Sequence, residues 1–361
     1  MMKQQIIRSS LIEKDLARLL DEWKYDGLFL LTDENTDKIC FPLIEKIPEI
    51  QRAKKYCIAS GDHHKNIETL SAVWKFLTEN GANRKSLLIN LGGGMLTDLG
   101  GFAAATFKRG IRFINIPTTL LGAVDAAVGG KTGINFRGLK NEIGVFASAI
   151  AVLIDADFFK TLDRANLLSG YAEMLKHALL TSDAANPKVR KQGFMSLLQM
   201  DMENLNYPKL NDLLFESILV KERIVEEDLA EQGIRKALNL GHTFGHAFES
   251  LSHELKKPVL HGYAVAWGIV CELYLSFIKL GFDKDILLKI AYFVKENYGV
   301  FTFDCHQYSR LHELMQHDKK NESGNICFTL LKAIGAIEIN QTAGLKEIDE
   351  TLDFYCDFFH I

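Results

Sequence analysis

Residues 86 to 110 read SLLINLGGGMLTDLGGFAAATFKRG, an apolar run, three consecutive glycines (Gly92, Gly93 and Gly94) and then a segment of helical period. The pattern is that of a strand, a tight glycine turn and a helix opening near Thr97 and Asp98. A glycine turn at such a junction lets backbone amides approach an anionic diphosphate at the positive end of the helix. The stretch is neither the GxGxxG nor the GxxxxGK[ST] fingerprint, and glycines also serve close packing, so nucleotide binding and a purely structural turn both remain open on these residues.

Reading outward, the same rhythm recurs at GLFLLTD (27 to 33), KYCIASGD (55 to 62) and IRFINIP (111 to 117), separated by amphipathic segments. Apolar runs alternating with helices predict a parallel sheet. From about Leu167 the period changes to long helical segments such as SGYAEMLKHALL and HGYAVAWGIVCELYLSFIKL. The expected architecture is therefore α/β, a Rossmann-like domain over 1–166 followed by a mainly α-helical domain over 167–361.

Composition agrees with two globular cores: 361 residues, 47% apolar and 24% charged, with a mean hydropathy of zero. The formal net charge of -4 gives no general reason to expect nucleic acid or a membrane as partner. The N-terminal residues lack the apolar core of a secretory signal, and no later segment reads as long enough to span a bilayer, so a cytoplasmic protein is expected. Six cysteines, scattered without CxxC spacing, predict neither a disulfide framework nor a cysteine zinc site.

Polar groups gather where the chain turns. VDAAVGGKTGIN carries Asp125, Lys131, Thr132 and Asn135, and RGLKNEIGVF adds Lys140 and Asn141. Lysine beside paired glycines suits a phosphate, although a solvated lysine on a glycine-rich loop is the commoner case. In GYAEMLKHALL, Glu173, Lys176 and His177 share neighbouring faces of one helix, and in LNLGHTFGHAFES, His242 and His246 stand one turn apart. Spacing alone offers too many ligands. Glu173, His242 and His261 do supply the one-carboxylate, two-histidine set of a catalytic zinc with an open position. For His261, helix capping competes with that reading.

Taken together, GGGMLTDLGGF, IPTTLLGAVDAAVGGKTGIN, KNEIGVF, SGYAEMLKHALL and GIRKALNLGHTFGHAFES resemble the 3-dehydroquinate synthase family, in order from about Asp33 to the DKKNESG stretch at 318 to 324. The resemblance implies an N-terminal NAD-binding domain, a C-terminal helical domain carrying a metal, and an active site in the cleft between them. It implies conversion of 3-deoxy-D-arabino-heptulosonate 7-phosphate to 3-dehydroquinate and phosphate, in the shikimate pathway of aromatic amino acid biosynthesis. Glu173, His242 and His261 then correspond to the ligands of a divalent metal, zinc or alternatively cobalt, and His246 to a group that assists proton transfer without ligating. His177 is demoted, because the family commonly has tyrosine there.

For NAD the matching positions are Asp33, Asn35, Asp62, Lys65, Gly92, Gly93, Gly94, Asp98, Thr118, Thr119 and Thr161, with Asp125, Lys131 and Lys140 from the glycine-rich stretch. For the substrate phosphate they are Arg109, Lys131, Asn141 and one of Lys319 and Lys320. Lys176, Lys221, Arg235 and Asn239 match groups for the carboxylate and hydroxyls. The family's equivalent of Arg109 reaches in from a partner subunit, which implies a homodimer.

The implied chemistry is transient oxidation by NAD, loss of phosphate, re-reduction, and an intramolecular aldol closure. Asp62 in place of Glu, LDRAN at 162 to 166, and Tyr263 in place of Glu after His261 depart from the usual pattern; the last puts second-shell tuning of the metal in question. The rival readings are a sedoheptulose 7-phosphate cyclase, a metal-dependent polyol dehydrogenase and a catalytically silent NAD-binding regulator.

Overall fold

Short apolar runs separated by glycine and polar turns build a parallel sheet in the first half of the chain. The computed structural model describes residues 4–137, 139–181, 187–316 and 326–361. Two units are distinguished, Met1–Asp163 and Arg164–Ile361.

The first unit opens with β1 (Gln5–Arg8), α1 (Ile12–Glu22), β2 (Leu28–Asp33), α2 (Glu34–Ile39), α3 (Pro48–Arg52), β3 (Lys54–Ile58) and α4 (Ile67–Glu79). It continues through β4 (Leu87–Gly92), α5 (Gly94–Thr106), β5 (Arg112–Pro117), β6 (Lys131–Phe136), β7 (Leu139–Phe146) and β8 (Ala151–Ile154). Six of these strands form one parallel sheet in the order β1-β8-β5-β4-β2-β3. The central strands β2 and β4 are buried at every position, as expected when helices cover both faces of a parallel sheet. The edge strands β1 and β3 are short and partly exposed, which limits pairing with other chains.

The order has a consequence for ligand binding. The chain passes from β2 outward to β3, then crosses back so that β4, β5 and β8 extend the other side. The reversal lies between β2 and β4, whose C-terminal ends are Asp33 and Gly92. Open parallel sheets bind ligands just beyond the carboxyl ends of their strands at such a point.

Two local expectations are corrected. Helix α5 begins at Gly94, with Gly93 as its N-cap, three residues before the Thr97–Asp98 position expected from polar capping residues. The third glycine lies within the first turn, and Thr97 donates its hydroxyl to the Gly94 carbonyl at 3.1 Å. The stretches around Lys131 and Lys140, read as glycine-rich loops, instead form the antiparallel hairpin β6–β7. Its second strand is exposed along its whole length, so it lacks the alternation that marks a half-buried strand.

The second unit is mainly helical: α6 (Arg164–Leu180), α7 (Pro187–Leu198), α8 (Tyr207–Glu227), α9 (His242–Glu254), α10 (His261–Leu280), α11 (Lys284–Tyr298) and α12 (Tyr308–Gln316), with the hairpin β9 (Cys327–Ala333) and β10 (Ala336–Thr342), and α13 (Leu345–Phe359). Among the described residues one helix, α10, has the length and apolar character to cross a bilayer, contrary to the expectation that no segment would. It packs against α6, α9, α11, α13 and β9; the apolar length serves the centre of this unit's core.

Close approach at α10 depends on two glycines. A Cβ at Gly268 would run into the carbonyl oxygen of Gly241, and one at Gly262 into that of Ser169. The amide of Gly262 also donates to Ser169 Oγ at 3.1 Å, so α6, α9 and α10 meet at backbone distance. Gly268→Ala should therefore destabilise the protein by about 1–3 kcal/mol through overpacking. Gly193→Ala is the matched control: Gly193 is an exposed position of α7 with nothing near its Cβ position and the substitution should be neutral or stabilising by up to about 1 kcal/mol. Denaturant unfolding of the two variants checks the contrast.

Candidate functional site

The three helices that meet at these glycines each contribute one side chain to a cluster. Glu173 on α6 is fully buried, His242 is the first residue of α9 and His261 the first of α10. Their ligand atoms, one carboxylate oxygen and two imidazole nitrogens, all lie within 4.8 Å of one another. His242 Nε2 is 3.6 Å and His261 Nε2 3.7 Å from the same atom, Glu173 Oε1. The second oxygen of Glu173 pairs with the ammonium of buried Lys176, one turn along α6.

The tautomers follow from what the opposite ring nitrogens touch. His242 Nδ1 is 3.1 Å from the carbonyl oxygen of Leu240, which can only accept, so Nδ1 carries the proton. His261 Nδ1 is 3.1 Å from Glu249 Oε2 and donates to that carboxylate. Both Nε2 lone pairs are left facing a carboxylate oxygen, an arrangement that repels unless a proton or a metal cation sits among the three. The donor set and the second-shell orientation of both imidazoles fit a divalent metal such as zinc. Burial opposes charging of His261, but the carboxylates of Glu173 and Glu249 outweigh it and raise its pKa from 6.5 to about 10.

His246 lies one turn further along α9 and half-buried, its ring 5.2 Å from that of His242 and 5.9 Å from that of His261. It is beside the cluster without belonging to it. His177 is fully buried and shares a 2.8 Å hydrogen bond with Ser217. Lys176, Lys221 and Arg235 are buried cations at 1%, 6% and 2% exposure, an unusual concentration for residues that normally stay in water. Arg235 donates from its backbone to Asp228 at 3.1 Å and from Nη1 to the Leu229 carbonyl at 3.1 Å. Asn239 ends the same 3-10 turn, Ile234–Asn239. Tyr263 packs edge-on against Tyr298 and Trp267, with ring centroids 5.1 and 6.0 Å away.

Two carboxylates were missed in the sequence. Glu249 and Glu272 are 6% and 0% exposed; the second accepts from the Gly241 amide at 2.7 Å and the Thr243 amide at 2.9 Å. A signal existed for Glu272, the only acidic residue in the twenty of α10.

In the first unit the expected nucleotide residues cluster at the carboxyl ends of the strands. Asp33 ends β2 and caps α2, accepting from the amides of Asn35 and Thr36 at 2.9 Å each; Asn35 itself is exposed. Gly92, Gly93 and Gly94 join β4 to α5. Thr118 follows β5 and donates its amide to the Gly92 carbonyl at 3.0 Å. Thr119 Oγ1 accepts from the Gly122 amide at 3.0 Å, and Asp125 lies in the π-turn that follows. Thr161 ends the 3-10 turn after β8 and bonds the Phe158 carbonyl at 2.6 Å.

A polar network also forms here. Lys65, 4% exposed, reaches Asp98 at 2.6 Å and Asn141 at 2.5 Å. Asn135 donates to Asp62 Oδ2 at 3.1 Å and accepts from the Asn141 amide at 3.0 Å. Residues assigned from the sequence to cofactor and to phosphate thus hold one another. Lys131 and Lys140 are exposed on the hairpin, and Arg109 is exposed beyond α5 with φ at 69°. Lys319 and Lys320 lie outside the described residues.

A parallel sheet with a glycine turn at its switch point, followed by a mainly helical unit, is an α/β architecture shared with solved structures of similar fold. One is a 2-epi-5-epi-valiolone synthase from Streptomyces hygroscopicus with NAD+ and Zn2+ bound, at TM-score 0.82 and 22% identity over 99% of this chain and 98% of that one. Another is a 2-deoxy-scyllo-inosose synthase complexed with carbaglucose-6-phosphate, NAD+ and Co2+, at TM-score 0.82 and 20% identity over 96% and 95%. These likenesses concern the fold. Sequence is more specific: residues 55–169 match the pattern described as 3-dehydroquinate synthase N-terminal and residues 170–321 the one described as 3-dehydroquinate synthase C-terminal. A curated 3-dehydroquinate synthase of Parabacteroides distasonis is 54% identical over the full length of both chains. The chain belongs to the 3-dehydroquinate synthase family.

The raised pKa of His261 has a testable sign. A proton bound more tightly in the folded than in the unfolded chain stabilises fully below about pH 6.5, and that stabilisation is lost as pH rises toward about 10. The metal-free protein should lose thermal stability across this window. With metal loaded, the cation takes the proton's place and the slope from this group should vanish. Melting temperatures against pH, with and without zinc, check it; equal slopes would count against the cluster.

Proposed function

We propose that this chain acts as a 3-dehydroquinate synthase, converting 3-deoxy-D-arabino-heptulosonate 7-phosphate to 3-dehydroquinate and phosphate. The observation that carries the reading is the convergence of His242 and His261 on buried Glu173, in a chain that matches its relative from end to end. The first unit would bind NAD at the carboxyl ends of β2, β4 and β5, through Asp33, the glycines 92 to 94, Thr118 and Thr119. The second would hold a divalent metal through Glu173, His242 and His261. When bound, NAD would supply a reversible hydride acceptor and the metal a Lewis acid for the substrate hydroxyls.

The chain's own residues do the rest. His246 stands beside the ligands with its ring half-buried, suited to move a proton at its ring nitrogen rather than to ligate. Arg235 and Lys221, both buried cations, are assigned to the substrate carboxylate, which a guanidinium can hold bidentately. Lys176 balances Glu173 and can reach a hydroxyl from the same face. Arg109, Lys131, Asn141 and Lys319 or Lys320 are assigned to the phosphate, where fixed cations stabilise the charge that develops as it leaves. The exposed, left-handed position of Arg109 supports its serving the site of a second copy in a homodimer. A cytoplasmic location suits a biosynthetic enzyme of this kind.

The test is incubation of the metal-loaded protein with the heptulosonate phosphate and substoichiometric NAD. Many equivalents of phosphate should appear per NAD, with no net NADH, because the cofactor returns to its starting state in each cycle. Stoichiometric NADH would point to a polyol dehydrogenase. Equal turnover of sedoheptulose 7-phosphate, which lacks the carboxylate, would contradict the roles given to Lys221 and Arg235.

A further inference from the structure

Helices α9 and α10 each begin at a proposed metal ligand, and each also carries a buried carboxylate aimed at the start of the other. Glu249, seven residues along α9 from His242, places Oε2 at 3.1 Å from Nδ1 of His261. Glu272, eleven residues along α10 from His261, accepts from the amides of Gly241 and Thr243 at 2.7 and 2.9 Å. Those two amides flank His242 in the chain. We propose that Glu249 and Glu272 form a reciprocal pair of positioning residues, each helix fixing the metal-binding histidine of the other.

The physical need is different on the two sides. The N-terminus of α9 has no cap of its own: Gly241 is the N-cap residue and its position supplies no side-chain hydrogen bond. The first amides of a helix must be satisfied, and they favour negative charge. Glu272 does this from another helix, with one oxygen for each amide. It thereby fixes the segment Leu240–Thr243, including the Leu240 carbonyl that sets the tautomer of His242. Both carboxylate oxygens are required. A glutamine would offer one acceptor and turn an amino group toward the other backbone N–H.

On the opposite side, His261 opens α10 and its ring is held by Glu249 rather than by a backbone carbonyl. The carboxylate accepts the Nδ1 proton, keeps Nε2 turned to Glu173 and raises the basicity of the ring as a ligand. Gly268 passing against the Gly241 carbonyl keeps the two helices at the separation both carboxylates need. Tyr263, two positions after His261, packs in an aromatic cluster. The carboxylate that engages Nδ1 of His261 is Glu249, contributed from α9.

The inference rests on the metal reading above, and its test uses cobalt, whose visible absorption reports ligand geometry independently of turnover. Cobalt is titrated into the metal-free full chain and into Glu249→Gln and Glu272→Gln, with affinity measured against a competing chelator. Each substitution should weaken binding about 10–100-fold and alter the visible spectrum at full occupancy, which a merely structural role would not change. Glu272→Gln should also accelerate hydrogen exchange at the Thr243 amide. If Glu272→Gln does not fold, Glu272→Asp, which keeps the charge and shortens the reach, should show the same spectral change to a smaller degree. An unaltered chain that takes up no cobalt would overturn the metal reading and the pair with it. An unaltered chain that binds cobalt while both variants match its affinity and spectrum would overturn the reciprocal pair alone.

Discussion

A carboxylate with no exposure to water, faced by two imidazole nitrogens and an ammonium, is the constraint around which the second unit is organised. Glu173 cannot remain buried beside two lone pairs without positive charge among them. Lys176 supplies some of it from the same helix, and in the metal-free chain the proton on His261 supplies more. A divalent cation satisfies all three donors at once. The cluster is thus a site whose electrostatics are balanced by a ligand rather than by the protein alone, which is also why its ionisation is shifted so far from the ordinary range.

The helical frame follows from that constraint. Ligands from α6, α9 and α10 can converge only if the helices approach at backbone distance, and Gly262 and Gly268 permit this. Precision then needs more than proximity. Each imidazole has its second nitrogen engaged, and the start of α9 is held by a carboxylate from α10. In the first unit the corresponding economy is topological: reversal of strand order between β2 and β4 brings Asp33 and the glycine turn to the same edge of the sheet.

The legibility of these features in the sequence divides along physical lines. Buried parallel strands such as LFLLTD and LLINLG are nearly continuous apolar runs, so β2, β4 and β5 could be read directly, whereas the partly exposed edge strand β3 was legible only through the recurrence of the same rhythm. The hairpin β6–β7 could not, because its exposed second strand carries no burial pattern and its glycines read as loops. The four-residue strands β1, at the sheet edge, and β8, beside it, gave too few residues for a period. In the second unit, spacing made Glu173, His177, His242 and His246 equal candidates as ligands; donor type grouped Glu173, His242 and His261 as a possible zinc set, and the family resemblance then demoted His177 and gave His246 a separate role. Glu249 and Glu272 escaped because an acid on a helix is ordinarily solvated; that these two point inward depends on which helix lies opposite. Glu272, alone among the apolar residues of α10, was the one place where composition carried the hint.

The most direct measurement of the central claim is X-ray absorption at the zinc edge of the zinc-loaded protein, with and without His246→Ala. The account predicts oxygen and nitrogen ligands at about 2.0–2.2 Å, two of them imidazoles, and an unchanged spectrum in the variant. Sulfur scattering, a third imidazole, or loss of an imidazole on removing His246 would contradict it.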